Sequence, residues 1–263
     1  MDIKTCQIVL VGHTWQKLIY SIDKEIYDKL IFIIEKENLP GTHEAKETLE
    51  ILLEEYKKRK IDIEYRQLNF HIPTKPIAEI TYLIYQQKLL GFSNIILNIS
   101  GGLRYMNIWI YIAASITKSR IIHGNFIYNE NIEVGIHKND DLDTLYISSL
   151  TSKQHEFMKL FFRPSKDYLD FFKLDFDENP LLQDCKSYNS IEEIKLSLNK
   201  QRGIKLTRGA INGYITKLNR ISALVITPED QNKKSITISY IGIAFFLKAI
   251  FKLINGNRKT GKS

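Results

Sequence analysis

The sequence predicts an α/β fold built on a mainly parallel sheet, followed by a smaller α+β domain. Three observations carry that expectation. Short continuous apolar runs alternate with amphipathic stretches through the first half, the late part of the chain is markedly basic, and its last segments read helix, helix, strand, loop, strand, helix. At roughly 150 residues per domain, 263 residues suit two compact domains. The expected partition is a first domain at 1–150, a helical linker at 151–187 and a second domain at 188–263. A composition of 44% hydrophobic and 25% charged residues supplies a core and excludes a disordered or fibrous chain.

Taken in order, Gln7 to Val11 is a continuous apolar run ending in Gly12, the pattern of a buried strand. An amphipathic helix follows from Thr14 to about Tyr27. Leu30 to Ile34 is a second buried strand, and after Pro40-Gly41-Thr42 a helix runs from His43 to Arg59, with Ala45, Leu49, Leu52, Leu53 and Tyr56 on its apolar side. Ile61 to Leu68 alternates as a strand, Pro76 opens a helix to Leu89, and Asn94 to Ile99 is another buried strand. The helix Leu103 to Thr117 follows directly. Arg120 to Tyr128 and Ile132 to His137 read as a hairpin joined at Asn129-Glu130-Asn131.

In such sheets the ligand crevice lies at the carboxyl ends of the strands, so the residues just after each strand are the ones to inspect. Three ends stand out: Gly12-His13-Thr14-Trp15, Gly41-Thr42-His43, and Ser100-Gly101-Gly102-Leu103-Arg104-Tyr105-Met106-Asn107. In the third, two glycines let backbone pass close to a ligand while the free N–H groups of a helix start face the crevice. Ser100 adds a hydroxyl and Arg104 a fork of donors, which together make a phosphate site. A plain tight turn from strand to helix is the alternative reading of Gly101-Gly102. GxGxxG and GxxxxGK[ST] are both absent, which removes the main support for NAD binding or NTP hydrolysis.

Strand, Ser100 to Asn107, helix resembles the signature loop of CARF domains, the CRISPR-associated Rossmann-fold sensors of cyclic oligoadenylates. The Gly12 turn and Pro40-Gly41-Thr42 match the other loops lining that family's pocket, and the resemblance covers about residues 1–147. His13 departs from the family pattern, in which an apolar or aromatic residue often follows the glycine. The resemblance implies a Rossmann-like sheet, a homodimer with two equivalent loops meeting on the two-fold axis, and one shared ring, with cyclic tetra-adenylate expected. Residues Ser100, Gly101, Gly102, Leu103, Arg104, Met106 and Asn107 would then hold backbone and phosphates. Thr14, Trp15 and Thr42 would hold ribose or base edges, with Gly12, His13 and Gly41 completing the pocket.

The second half begins with an apolar helix from Ser152 to Phe162, stopped by Pro164, and a short helix from Lys166 to Phe172. Asp175 to Pro180 is the acidic linker candidate. Ser190-Ile191-Glu192-Glu193 starts a helix with Ile191, Ile194 and Leu198 on one face, and Gln201-Arg202-Gly203 turns the chain. Thr207 caps a second helix, Arg208 to Ile221, with Ile211, Ile215 and Leu218 inward. Leu224 to Thr227 and Ser235 to Ser239 form a strand pair around a polar loop, Pro228 to Lys234, and Tyr240-Ile241-Gly242 leads into the helix Ile243 to Ile254. The order resembles archaeal and bacterial winged helix-turn-helix regulators over about residues 188–254. Lys205, Thr207, Arg208, Asn212, Lys217, Arg220, Lys233 and Lys234 are the expected contacts to double-stranded DNA. Residues 188–263 carry 14 Lys/Arg against 4 Asp/Glu, a net +10, whereas 1–150 sums to −2 and 151–187 to −1. A polyanion partner suits that excess.

Cys6 and Cys185 lie far apart with no Cys/His cluster nearby, so they are expected as buried thiols in a reducing compartment, with neither disulfide nor metal. No basic-then-apolar leader and no run near 18 apolar residues is present, from which a cytoplasmic protein without membrane contact is expected. Arg66 and His71 share the R-x4-H spacing of RNase domains found beside CARF sensors, but they end a strand of the first domain and are read as chance. The other histidines, His13, His43, His123, His137 and His155, show no ligand spacing. A transcription regulator without catalytic residues or cofactor is therefore expected. The alternative is a slow ring nuclease using His13, Thr14, Ser100 and Arg104 to align a ribose 2′-hydroxyl with its phosphate.

Overall fold

The structure, a computed structural model, describes residues 3–130, 132–165, 167–230 and 233–260. It divides into two compact units, Met1–Ile147 and Ser148–Ser263.

The first unit contains β1 (Thr5–Leu10), α1 (Trp15–Ile22), β2 (Lys29–Glu35), α2 (Thr42–Lys58), β3 (Asp62–Leu68), α3 (Lys75–Leu89), β4 (Asn94–Asn98), α4 (Arg104–Thr117), β5 (Arg120–Asn129) and β6 (Ile132–Asp141). The strands form one sheet in the order β3-β2-β1-β4-β5-β6. The first five are parallel and β6 returns antiparallel to β5, as a mostly parallel, Rossmann-like α/β sheet. Every residue of β1 and β2 is buried. Two covered faces need such continuous apolar runs, because side chains of a strand alternate between them. Val9, Val11, Leu30, Phe32 and Ile34 pack with Leu18, Ile22, Leu49, Leu52 and Tyr56 of α1 and α2.

β1 and β4 are neighbours, Val9 lying beside Asn98, yet the chain leaves β1 toward β2 and leaves β4 toward β5. This divergence opens a crevice between the two strand ends. α1 is shorter than its amphipathic stretch because Asp23 ends it, held by the Tyr56 hydroxyl at 2.9 Å and by Arg59 Nη1 at 2.8 Å. β6 runs four residues beyond the expected His137, to Asp141, which binds Arg120 of β5.

The second unit holds α5 (Ser152–Met158), three 3-10 turns at Lys159–Phe161, Tyr168–Phe172 and Phe176–Glu178, and α6 (Pro180–Gln183). It continues with α7 (Ile191–Arg202), α8 (Arg208–Arg220), β7 (Leu224–Asp230), β8 (Lys233–Ile238) and α9 (Tyr240–Thr260). The segment 151–187, expected as a helical linker, contributes core here: Phe162 stacks on Phe246 of α9 at 3.9 Å between ring centroids, and Phe171 meets Phe246 edge-on at 5.4 Å. Ser190 and Thr207 cap α7 and α8 through the N–H groups of Glu193 and Ala210. Ile194, Leu198, Ile211, Ile215 and Leu218 are buried. β7 and β8 pair antiparallel from Leu224 beside Ile238, and Tyr188 exchanges two backbone hydrogen bonds with Ile236 at the edge of β8. The chain enters α9 through Ser239, whose hydroxyl accepts from Gly242 N–H. A side chain at Gly242 would strike the Ala223 carbonyl, so only glycine permits this approach of α9 to β7.

Cys6 is buried in β1 and Cys185 is half-buried; burial pushes each thiol up to about 12. Among the described residues no helix is long and apolar enough to cross a membrane.

Candidate functional site

The crevice at the carboxyl ends of β1 and β4 is shaped by three loops that pass within van der Waals reach of one another. A Cβ placed on Gly12 would sit 2.5 Å from Gly102 N, and one on Gly101 would strike the Leu10 carbonyl and lie 2.9 Å from Gly12 N. Gly102 has φ +76° and Gly41 φ +85°, the left-handed region that glycine adopts freely. The imidazole of His13 lies against Gly41, where a Cβ would come within 2.8 Å of Nε2. The close-turn role of Gly101-Gly102 is thus real, and it also leaves peptide N–H groups at the crevice.

Three helices, α1, α2 and α4, begin in these loops, after Thr14, Gly41 and Leu103. None of the three has a side-chain cap, although backbone carbonyls take two of the first-turn N–H groups, Thr42 N–H donating to the Leu39 carbonyl at 3.0 Å and Met106 N–H to the Leu103 carbonyl at 3.0 Å. Each N-terminus carries about half a positive charge. Gly12, His13, Thr14, Ser100, Gly101 and Gly102 line a cavity of about 200 Å³. Lys17, one turn into α1, lines it too, its Nζ 4.1 Å above the ring of Phe126. A second, smaller compartment of about 20 Å³ shares Gly12, His13 and Gly102, and adds Gly41, Glu35 and Tyr105.

Beneath the cavity lies a buried polar network. The Ser100 hydroxyl accepts from Gly124 N–H at 2.8 Å and shares a hydrogen bond with Ser21 Oγ at 2.7 Å. Asn98 donates to Ser21 Oγ at 2.9 Å, and its Oδ1 accepts from Ser100 N–H at 3.0 Å. Asn139 of β6 continues the chain, donating to the Ser21 carbonyl at 2.8 Å and to Glu25 Oε1 at 2.9 Å. Glu25 in turn binds Arg120 Nη1 at 2.5 Å. Ser100, expected as a ligand hydroxyl, is 3% exposed and spends its hydrogen bonds holding the loop.

Other expected site residues divide similarly. Thr42 is buried, and its Oγ1 accepts from Leu39 N–H at 3.1 Å, closing the turn before α2. Leu103 and Met106 line the smaller compartment. Trp15 packs half-buried on the α1–α2 core, Arg104 is exposed, and Asn107 is half-buried; these three line neither cavity. Lys17 and Glu35 are not among the residues expected from the sequence, whereas Tyr105 lies within the expected stretch Ser100 to Asn107. Lys17 stands one helical turn after Thr14, and Glu35 directly follows the run LIFII, so spacing and the strand-end rule point to both.

Glu35 is the less ordinary of these. It is buried at the end of β2, its Oε1 accepting from Glu37 N–H at 3.1 Å and lying 3.2 Å from His71 Nδ1. Burial, and then the charge of Glu35, hold the Tyr105 hydroxyl above its ordinary range. Arg66 of β3 lies 3.7 Å from Glu64, while His71 Nδ1 lies 3.2 Å from Glu35. Among the described residues no three His, Cys, Asp or Glu side chains cluster as metal ligands.

On the second unit, Lys205, Thr207, Arg208, Asn212, Lys217, Arg220 and Lys234 are all exposed. The side chain of Lys233 and residues 231 and 232 of the β7–β8 loop lie outside the described set, as do Asn131 of the expected hairpin turn and Lys166 of the expected short helix.

No protein family model matches the chain, and no curated protein matches it. Among solved structures it is similar to Can2 from Sulfobacillus thermosulfidooxidans in complex with cyclic tetra-adenylate, at 13% identity and TM-score 0.35, covering 95% of this chain and 63% of that one. It is also similar to protein VC1899 from Vibrio cholerae, at 12% identity and TM-score 0.37, covering 95% of this chain and 66% of the other. The chain spans less than two thirds of the length of either.

The network has a measurable weight. Asn98→Ala strips partners from Ser21 and from Ser100 N–H at once, and leaving a buried polar group unsatisfied costs about 1–3 kcal/mol. The urea midpoint of Asn98→Ala is expected to fall accordingly, and an unchanged midpoint would remove the network from the account of the loop.

Proposed function

We propose that the chain is a CARF-type sensor of a cyclic oligoadenylate, coupled to DNA through a winged helix-turn-helix at 188–263, and that it acts as a CRISPR-associated transcription regulator in the cytoplasm. One observation carries the sensing half: three uncapped helix N-termini, a glycine-lined backbone and Lys17 converge on one crevice where β1 and β4 diverge. Fixed N–H donors and a cation suit phosphate oxygens, and they demand little rearrangement when an anion arrives. The resemblance of Ser100 to Asn107 to the CARF loop supplies the ring, with cyclic tetra-adenylate as the expected ligand.

A homodimer follows from the same reading. α4 exposes Tyr105 and, at 55%, Ile108 beside the crevice, an apolar face suited to a second copy of this chain. A ring with repeated phosphates suits a two-fold site, so one ring per two chains is the expected stoichiometry. The ring-nuclease alternative has less support, since the Ser100 hydroxyl it requires is engaged by Ser21 and Gly124.

For the DNA half, helix, turn, helix, antiparallel ribbon, helix is the order of a winged helix-turn-helix. Advancing about 100° per residue, Arg208 and Asn212 flank the buried stripe of α8 on one side, Lys217 lies on the other side, and Arg220 points nearly opposite the stripe. Arg208 and Asn212, near the N-terminus, are suited to base edges; Lys217, Arg220 and Lys234 are suited to phosphates. Ring binding would bias the spacing of two recognition helices, whose natural span on DNA is about 34 Å.

Two experiments test the two halves separately. In calorimetric titration with cyclic tetra-adenylate, binding is expected at one ring per two chains, and Lys17→Ala is expected to weaken it at least tenfold, the cost of about 1.4 kcal/mol for a charge-assisted contact. Equal affinity would remove Lys17 from the site, and a linear product in the cell would replace the sensor by the nuclease. In mobility-shift assays on the protein's own promoter, Arg208→Ala with Lys217→Ala is expected to lower both affinity and the salt slope, the latter by about 1 to 2 in log–log units. Unchanged values would show that α8 is not the reader.

A further inference from the structure

The crevice is chemically lopsided. Its larger cavity is lined by Lys17 and the Gly101-Gly102 turn, whereas the smaller compartment counts Glu35 in its lining. The Glu35 side chain is 98% buried, since only 2% is exposed, and Oε1 has two partners. Oε2 is buried with no hydrogen-bond partner among the described residues. A carboxylate oxygen is acceptor only, and leaving one dry and unsatisfied is costly. A phosphate cannot relieve it, because like charges repel. What relieves it is a neutral donor, an O–H or N–H.

We infer that Glu35 Oε2 receives a hydrogen bond from the nucleoside part of the ligand, either a ribose hydroxyl or the exocyclic amine of the base, and so selects which nucleotide the crevice accepts. The compartment's size narrows the choice. About 20 Å³ is the room of a single water-sized group, so the tip of a hydroxyl or amine enters and a whole ring does not. Sharing of Gly12, His13 and Gly102 by both cavities places this tip next to the phosphate-facing backbone, as adjacent parts of one nucleotide require. The carboxylate is anchored at Oε1 by Glu37 N–H and His71 Nδ1, which leaves Oε2 as the oxygen without a partner. This inference rests on the ring-sensing reading and adds a specificity residue to it.

Glu35→Gln keeps the shape and the acceptor for Glu37 N–H, but an amide then turns its donor toward the ligand's donor. The expected loss for cyclic tetra-adenylate is about tenfold to a hundredfold, the weight of a hydrogen bond to a charged group, with the melting midpoint unchanged. Two ligand changes test the same contact without touching the protein: a ring of 2′-deoxy nucleotides, and a ring of purine ribosides lacking the 6-amino group. One analogue is expected to bind the native protein as weakly as the parent ring binds Glu35→Gln, which identifies the hydroxyl or the amine as the donor. Glu35→Gln is expected not to distinguish that analogue from the parent. If both analogues bind the native protein as the parent does, or Glu35→Gln binds the parent undiminished, the inference is overturned while ring sensing stands. If the native protein binds no ring, the ring reading falls and this inference with it.

Discussion

Two neighbouring strands that send their chains to opposite sides of a sheet must let their first turns cross at backbone distance, and most of the first unit is arranged around that crossing. Gly12 and Gly101 are glycines because a Cβ on either would occupy the other loop's backbone, and Gly102 must also take a positive φ. Glycines at such a crossing contribute no side-chain packing. The polar network compensates: Asn98, Ser21 and Ser100 join β4, α1 and the turn, and Asn139, Glu25 and Arg120 anchor them to β5 and β6. Each buried group in that set has a partner, which is the condition under which a polar cluster makes a loop rigid.

Rigidity beneath the crevice gives its upper surface meaning. With Ser100 turned inward and Thr42 closing its own turn, the groups left lining the crevice are backbone N–H groups, Lys17 and Glu35. Backbone donors fixed by a crossing of two loops cannot relax away from an anion, so they would offer the proposed ligand preorganised affinity, while a cation at one end and a carboxylate at the other would give a nucleotide a direction. Exposed Tyr105 and Ile108 adjoin this surface on α4, so pairing of two chains and filling of the crevice are proposed to be one event.

The order of strands and helices was legible because β1 and β2 are buried on both faces and so read as unbroken apolar runs. The extension of β6 to Asp141 was not, since Lys138 to Asp141 are polar and are held by Asn139 and Arg120 rather than by an apolar stripe. Residues 151–187 looked like a linker because their helices are short, but Phe162 and Phe171 close on Phe246, a partner 84 residues downstream of Phe162 that local pattern cannot reveal. The glycine loops of the site were visible as motifs. The inward turn of Ser100 was hidden, because Ser21 and Gly124 meet its hydroxyl only through tertiary contact. Glu35 and Lys17 were within reach of the strand-end and helical-turn rules.

The most direct measurement is the amide spectrum of the isotopically labelled protein as cyclic tetra-adenylate is added. The account predicts large shifts and slowed hydrogen exchange at Gly101, Gly102 and Leu103, with Gly12 following and the β7–β8 ribbon responding less. Saturating ligand that leaves these amides unmoved, or that perturbs only the basic second unit, would contradict it.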